Sequence, residues 1–124
     1  MRALVVDDSK AARSLIGRMV REMGFEVVEA ANGREALQRL AEGGPVDLAL
    51  VDWNMPEMNG LDFVVAARAD RRFIDVPLVM CTSETEMSKV VQALDAGASE
   101  YIMKPFNKDA LRGKLELLGL LLAA

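Results

Sequence analysis

The chain has 124 residues, is 52% apolar and 27% charged, and carries 15 Lys and Arg against 19 Asp and Glu for a formal net charge of −4. That length suits one domain with its own core, the composition argues against disorder, and the lack of a basic excess argues against gripping a nucleic-acid backbone. Histidine is absent and Cys81 is the lone cysteine, which excludes Ser-His-Asp and Cys-His machinery, imidazole-based metal sites, intrachain disulfides and multi-thiolate zinc.

In chain order, Ala3 to Val6 is a short, β-branched-rich run of the kind found in strands buried on both faces, and it ends at Asp7-Asp8. Ser9 can cap a helix running to about Met23, with Gly24 as its stop. Phe25 to Val28 is a weaker strand candidate. Asn32, with Glu35 three residues later, suits a capped helix start that Gly43-Gly44-Pro45 closes. Val46 to Val51 predicts a third strand ending at Asp52, and Gly60 to Asp70 a third helix. Val76 to Cys81 predicts a fourth strand ending at Thr82; Ser83 with Glu86 forms a capping-box pattern for a helix that Gly97 ends. Tyr101 to Met103 is a weaker strand ending at Lys104, and Asn107 opens a fifth helix to about Leu118.

Five βα units without repeats or linkers predict one α/β domain over residues 1–124, a parallel sheet covered on both faces by right-handed crossovers. The longest apolar run, Leu117 to Ala124, is far short of the ~20 residues a membrane span needs. Asp7 and Asp8 interrupt the first apolar stretch, so no signal peptide is expected and the cytoplasm is the default compartment.

Asp7, Asp8, Asp52, Thr82 and Lys104 all fall at the carboxyl ends of predicted parallel strands, where open α/β sheets place their ligands. Each alone reads as a solvated loop residue; five on one rim read as a site. Three clustered carboxylates repel one another and so hold a proton or recruit a cation, with Mg2+ the hard divalent ion usual where phosphates are handled. Lys104 supplies a point charge suited to a phosphoryl oxygen, and Thr82 a hydroxyl. Asp52 is then the nucleophile of an aspartyl-phosphate chemistry, with the cation and Lys104 stabilising the transferring group.

Together these residues resemble the bacterial response-regulator receiver domains. The resemblance is carried by Val5-Val6-Asp7-Asp8-Ser9, by Asp52-Trp53-Asn54-Met55-Pro56 with Gly60, by Thr82 and by Lys104-Pro105-Phe106, and it spans essentially the whole chain. The segment from Asp52 to Gly60, with Glu84 and Tyr101, is most similar to the CheY-like chemotaxis members. The resemblance implies a doubly wound, five-stranded parallel sheet, the (βα)5 flavodoxin-like or CheY-like fold with strand order 2-1-3-4-5.

It further implies Asp52 as phosphoacceptor, with Mg2+ held by Asp8, Asp52 and the Asn54 backbone carbonyl, and by Asp7 through water. Lys104 would contact the phosphoryl group, and its bond to Pro105 would be cis. Thr82 would swing toward the phosphate while Tyr101 turns inward. Asn54 and Glu84 would tune the lifetime of the phosphorylated state, their identities suggesting a short one. The implied phosphodonor is a histidine kinase, and the implied listener an output protein, with a flagellar motor switch the leading candidate. Such a protein is a monomeric phosphoacceptor that assists its own phosphorylation and dephosphorylation, not an enzyme; neither nucleic acid nor membrane insertion is expected.

Other functions fit less well. A haloacid-dehalogenase-like phosphohydrolase also uses an Asp nucleophile, Mg2+ and Lys, but places the nucleophile after the first strand with a second Asp two residues on, where this chain has Asn54. A flavin-binding domain would want a hydroxyl- and glycine-rich phosphate loop where Asp7-Asp8 stand. A receiver from a phosphorelay, or one excised from a larger regulator, would carry the same motifs; the start at Met1 and the stop just past the fifth helix favour a stand-alone protein.

Several residues have plainer expected roles. Trp53 reads as partly exposed packing, and Met55 and Met58 as packing around the loop after Asp52. Lys89, the helix from Glu86 to Ala96 and the helix from Asn107 should form the face beside Tyr101. The terminal leucines read most simply as the buried stripe of the last helix continuing to the end.

Overall fold

Strands and helices alternate along the chain in this computed structural model, which describes residues 1–83 and 88–122. They are β1 (Arg2–Val6), α1 (Lys10–Glu22), β2 (Glu26–Ala30), α2 (Gly33–Glu42), β3 (Leu48–Asp52), α3 (Gly60–Arg68), β4 (Leu78–Thr82), α4 (Val90–Ala96), β5 (Glu100–Met103) and α5 (Lys108–Leu117). All pairings are parallel, in the order β2-β1-β3-β4-β5, as the resemblance implied.

Burial explains why some strands were easier to read than others. Apart from Arg2 and Asp52 at their ends, the inner strands β1, β3 and β4 are buried throughout and read as continuous apolar runs. The edge strands β2 and β5 are partly exposed, so Glu26, Glu29 and Glu100 dilute their pattern. Leu4, Val6, Ala49, Val51, Leu78 and Met80 face one apolar layer with Phe63, Val64 and Ala67 of α3. Ala3, Val5, Leu48 and Leu50 face the other, with Ile16 and Val20 of α1 and Leu111 and Leu115 of α5. The period-two alternation of side chains thus splits the core into two layers with the sheet between them.

Among the described residues, four of the five helix starts follow the side chains that cap them; α4 instead begins after Lys89, which makes no side-chain cap, and not directly after the predicted Ser83. Ser9 accepts from the Ala12 N–H, Asn32 from Glu35, Asn59 from Asp62 and Asn107 from Ala110, each satisfying a backbone donor that the first turn leaves unpaired. Several of the element limits differ from the expectation. Strands β3 and β4 begin two residues later than predicted, because Pro77 has no N–H to give and Asp47 uses its carboxylate to accept from the Arg2 N–H at 2.8 Å. Phe25 belongs to the closure of α1, its N–H reaching the Val20 carbonyl at 3.0 Å. Helix α3 stops at Arg68, not Asp70; the Asp70 carboxylate instead caps a single 3-10 turn, Arg71–Phe73, by accepting from the Arg72 N–H.

A further correction concerns the leucine-rich end. Helix α5 ends at Leu117, where Gly119 adopts φ +76°, its N–H meets the Glu116 carbonyl at 3.0 Å, and the Leu120 N–H meets the Leu115 carbonyl at 2.9 Å. This glycine-centred closure turns the chain back, so that Leu120 and Leu121 pack on the layer beneath α1 and α5 while Leu122 is 93% exposed. The leucines are therefore not one continuous helical stripe. The Glu86 half of the predicted capping box, and Glu84, lie outside the described residues.

Candidate functional site

The rim at the carboxyl ends of β1, β3, β4 and β5 gathers the residues singled out from the sequence. The chain leaves β1 at Val6, and Asp7 points inward with only 2% of its surface exposed. Three contacts fix it there: its Oδ1 accepts from the Ser9 N–H at 2.9 Å, its N–H reaches the Ala30 carbonyl at 3.1 Å, and its carbonyl accepts from Arg13 Nη1 at 2.7 Å. Arg13 is itself held by Glu29, with Nε donating to Oε1 at 3.2 Å. The neighbouring Asp8 is exposed.

Asp52, the last residue of β3, has its side chain 13% exposed. Lys104, just past β5, donates from Nζ to Asp7 Oδ2 at 2.8 Å and to Asp52 Oδ1 at 2.9 Å. One carboxylate oxygen from each of Asp7, Asp8 and Asp52 lies within 4.8 Å of the others. A single ammonium shared between two carboxylates leaves this corner negative. Burial accordingly holds the Asp52 carboxyl above its ordinary pKa; the hydrogen bond and charge of Lys104 oppose the shift, and Asp7 and Asp8 add to it. Burial also works against the Lys104 ammonium, but the two carboxylates outweigh it and keep that group charged above the ordinary lysine range. The set offers the hard oxygen donors that Mg2+ takes, on a surface where like charges need a partner.

Thr82 ends β4 fully buried, and no buried side-chain polar atom among the described residues lacks a hydrogen-bond partner. Asn54 is exposed in the loop after β3, and the Lys104–Pro105 peptide is cis. Gly60 explains why that loop is tight: its N–H reaches the Trp53 carbonyl at 2.9 Å, and a Cβ there would sit 2.5 Å from the Asp52 carbonyl oxygen. Helix α3 therefore starts directly against the backbone of Asp52. Met55 and Met58 are partly buried around it, as the sequence suggested.

Trp53 departs from expectation. It is 3% exposed, not partly exposed, because the tight turn folds its indole into the layer under α3. Lys89 lies across that ring, its Nζ 5.8 Å from the centroid, so it is placed over Trp53. The cation beside Tyr101 is Lys114 of α5, 4.5 Å from the ring centroid and 3.4 Å from Glu100. Sequence reading missed Arg13, Glu100 and Lys114. Arg13 carried a usable signal, one helical turn past the cap Ser9; the other two depend on which strand forms the sheet edge.

Residues 3–116 match the response regulator receiver domain. The chain belongs to this family. Chemotaxis protein CheY1 of Helicobacter pylori strain J99 is 45% identical over 118 residues, which cover 94% of this chain and 95% of that protein. Among solved receivers, chemotaxis response regulator CheY4 of Vibrio cholerae superposes with a TM-score of 0.86 at 36% identity, covering 94% of this chain and 97% of the other. The receiver domain of the sensor histidine kinase PA1611 of Pseudomonas aeruginosa PAO1, described with a magnesium ion coordinated in its active-site cleft, has a TM-score of 0.84 at 26% identity and 94% coverage of each chain.

This receiver is thus a CheY-like signalling protein, not an enzyme in the usual sense. Its rim belongs to the receiver fold, and the nucleophile candidate follows the third strand with Asn54 two residues on, so nothing favours the haloacid-dehalogenase reading. Among the described residues, no helix is long and apolar enough to cross a membrane.

Proposed function

We propose that Asp52 accepts a phosphoryl group from a histidine kinase and that the phosphorylated receiver, acting as one unit in the cytoplasm, changes its affinity for an output protein of a chemotaxis or motility pathway. The observation that carries this reading is the Lys104 ammonium bridging Asp7 and Asp52 within a cluster of three carboxylates. Asp8, Asp52 and the Asn54 carbonyl would hold Mg2+, with Asp7 acting through water; the magnesium described in the related kinase receiver supports that choice. Bound there, the ion would neutralise the clustered charge and that on the transferring phosphoryl oxygens.

The residues of the chain do the rest. An Asp52 carboxylate oxygen forms the new P–O bond in line with the breaking P–N bond of the donor phosphohistidine, and the imidazole leaves with the electron pair and takes a proton from solvent. Lys104 exchanges Asp52 Oδ1 for a phosphoryl oxygen while keeping Asp7. Phosphorylation adds about −1.5 to −2 charges and three acceptors at the rim. Thr82 turns to meet one of them, and the space it vacates gives the Tyr101 ring a second position, which the output protein reads. Coupling of about 1–3 kcal/mol changes partner affinity several-fold to roughly a hundredfold. Asn54 and Glu84 set the lifetime of the acyl phosphate. The resemblance makes a flagellar motor switch the first listener to test, and the relatives named as chemotaxis proteins support a chemotaxis pathway.

Acetyl phosphate and Mg2+ should modify the wild-type protein at Asp52, detected by mass spectrometry, and should quench Trp53. Asp52→Asn should abolish both the modification and the phosphodonor step. An unmodified wild type, or modification that persists in Asp52→Asn, overturns the reading.

A further inference from the structure

Lys114 and Tyr101 belong to opposite sides of the sheet. Helix α5 packs through Leu111 and Leu115 on one apolar layer, whereas Tyr101 packs on the other. Strand β5 lies at the edge of the sheet. The Lys114 side chain wraps around that edge and brings its ammonium to 4.5 Å from the centre of the Tyr101 ring. Glu100 pins it from the strand itself: Oε1 lies 3.4 Å from Lys114 Nζ and also accepts from the Tyr101 N–H at 2.9 Å. Both charged side chains are about three-quarters shielded, at 27% and 24% exposure, unlike a lysine standing free in solvent. The ammonium thus touches both the ring and the carboxylate, and the carboxylate is tied to the Tyr101 backbone.

We propose that Glu100 and Lys114 are positioning residues that latch the Tyr101 ring in its resting place and so set how strongly the receiver resists switching. The inference rests on the reading above in which Tyr101 is the movable element. A ring that moves to a second place loses the ammonium, while Lys114 stays anchored to Glu100 at the strand. The contact therefore favours the resting position alone. A cation over an aromatic face at a partly exposed site shifts such an equilibrium by about two- to fivefold, so removing it raises the population of the second position by that factor.

Tyr101 is the only tyrosine, so incorporated fluorotyrosine gives a single fluorine NMR signal that reports this ring. In the free protein, Lys114→Met, which keeps the stem and loses the charge, should raise the second population two- to fivefold. Glu100→Gln should shift it in the same direction, and Lys114→Arg should retain the wild-type balance; thermal melts confirm that each variant folds. A ring population in Lys114→Met and Glu100→Gln indistinguishable from wild type overturns the latch. Adding Mg2+ and beryllofluoride, a phosphoryl mimic, tests the underlying reading separately: a wild-type ring that ignores the mimic sinks the switch, whatever the variants do without it.

Discussion

Lys104 Nζ donates to Asp52 Oδ1 at 2.9 Å, so the candidate nucleophile rests against a cation that any bound metal must share it with. Lys104→Met leaves three carboxylates with no ammonium between them. Mg2+ should then bind about fivefold more tightly, roughly 1 kcal/mol, while phosphoryl transfer from acetyl phosphate slows. Titration calorimetry measures the first and mass spectrometry the second. Equal or weaker Mg2+ binding in the variant would show that the ammonium does not compete.

Burial raises the Asp52 pKa above its ordinary 3.8, so in the interval above that value the folded protein holds more protons than the unfolded chain. The associated stability is fully present below the unfolded value and is lost as pH rises through the folded one. Asp52→Asn keeps the shape and cannot ionise. It should remove this slope and raise the melting midpoint at neutral pH by a few degrees in a chelator, while Mg2+ stabilises only the wild type. Melts from mildly acidic to neutral pH decide the matter; a lower midpoint for the variant would mean that the Lys104 hydrogen bond outweighs burial.

Two glycines should respond oppositely to the same substitution. A Cβ on Gly60 meets the Asp52 carbonyl oxygen at 2.5 Å and Trp53 Cα at 3.1 Å, both backbone atoms with little freedom to yield. Gly60→Ala should cost about 1–3 kcal/mol and shift Trp53 emission. Gly113, inside α5, has nothing within 4 Å of its added Cβ, so Gly113→Ala should stabilise by roughly 0.5–1 kcal/mol through helix propensity. Urea titrations compare the two, and equal effects would refute the packing argument.

Cys81 pairs in register with Asp52, and burial pushes its thiol up to about 12. At mildly alkaline pH a disulfide reagent such as Ellman's should therefore label the native protein only as fast as the chain opens. Labelling should accelerate in denaturant in step with unfolding. Rapid labelling of the native state would place the thiol at the surface.

The inner strands and the rim were legible because each depends on local sequence. A strand buried on both faces must be apolar throughout, and the polar residue ending it stands out, as Asp7, Asp52 and Thr82 do. Strand starts were less legible, since Val46 and Val76 extend the apolar runs while Asp47 and Pro77 govern where pairing begins. Trp53 was misjudged because its burial depends on how closely Gly60 lets α3 approach. The Lys114–Tyr101 contact was invisible for a longer-range reason: it requires β5 to be an edge strand and α5 to present that lysine toward the edge.

The Asp7–Lys104 bond spans 97 positions of sequence, joining the end of the first strand to the residue after the last. No partly made chain can close the Lys104 bridge across the carboxylates: it must await Lys104 and the docking of β5 beside β4. On the proposed reading, a molecule would become able to receive a phosphoryl group only once its long-range folding is complete.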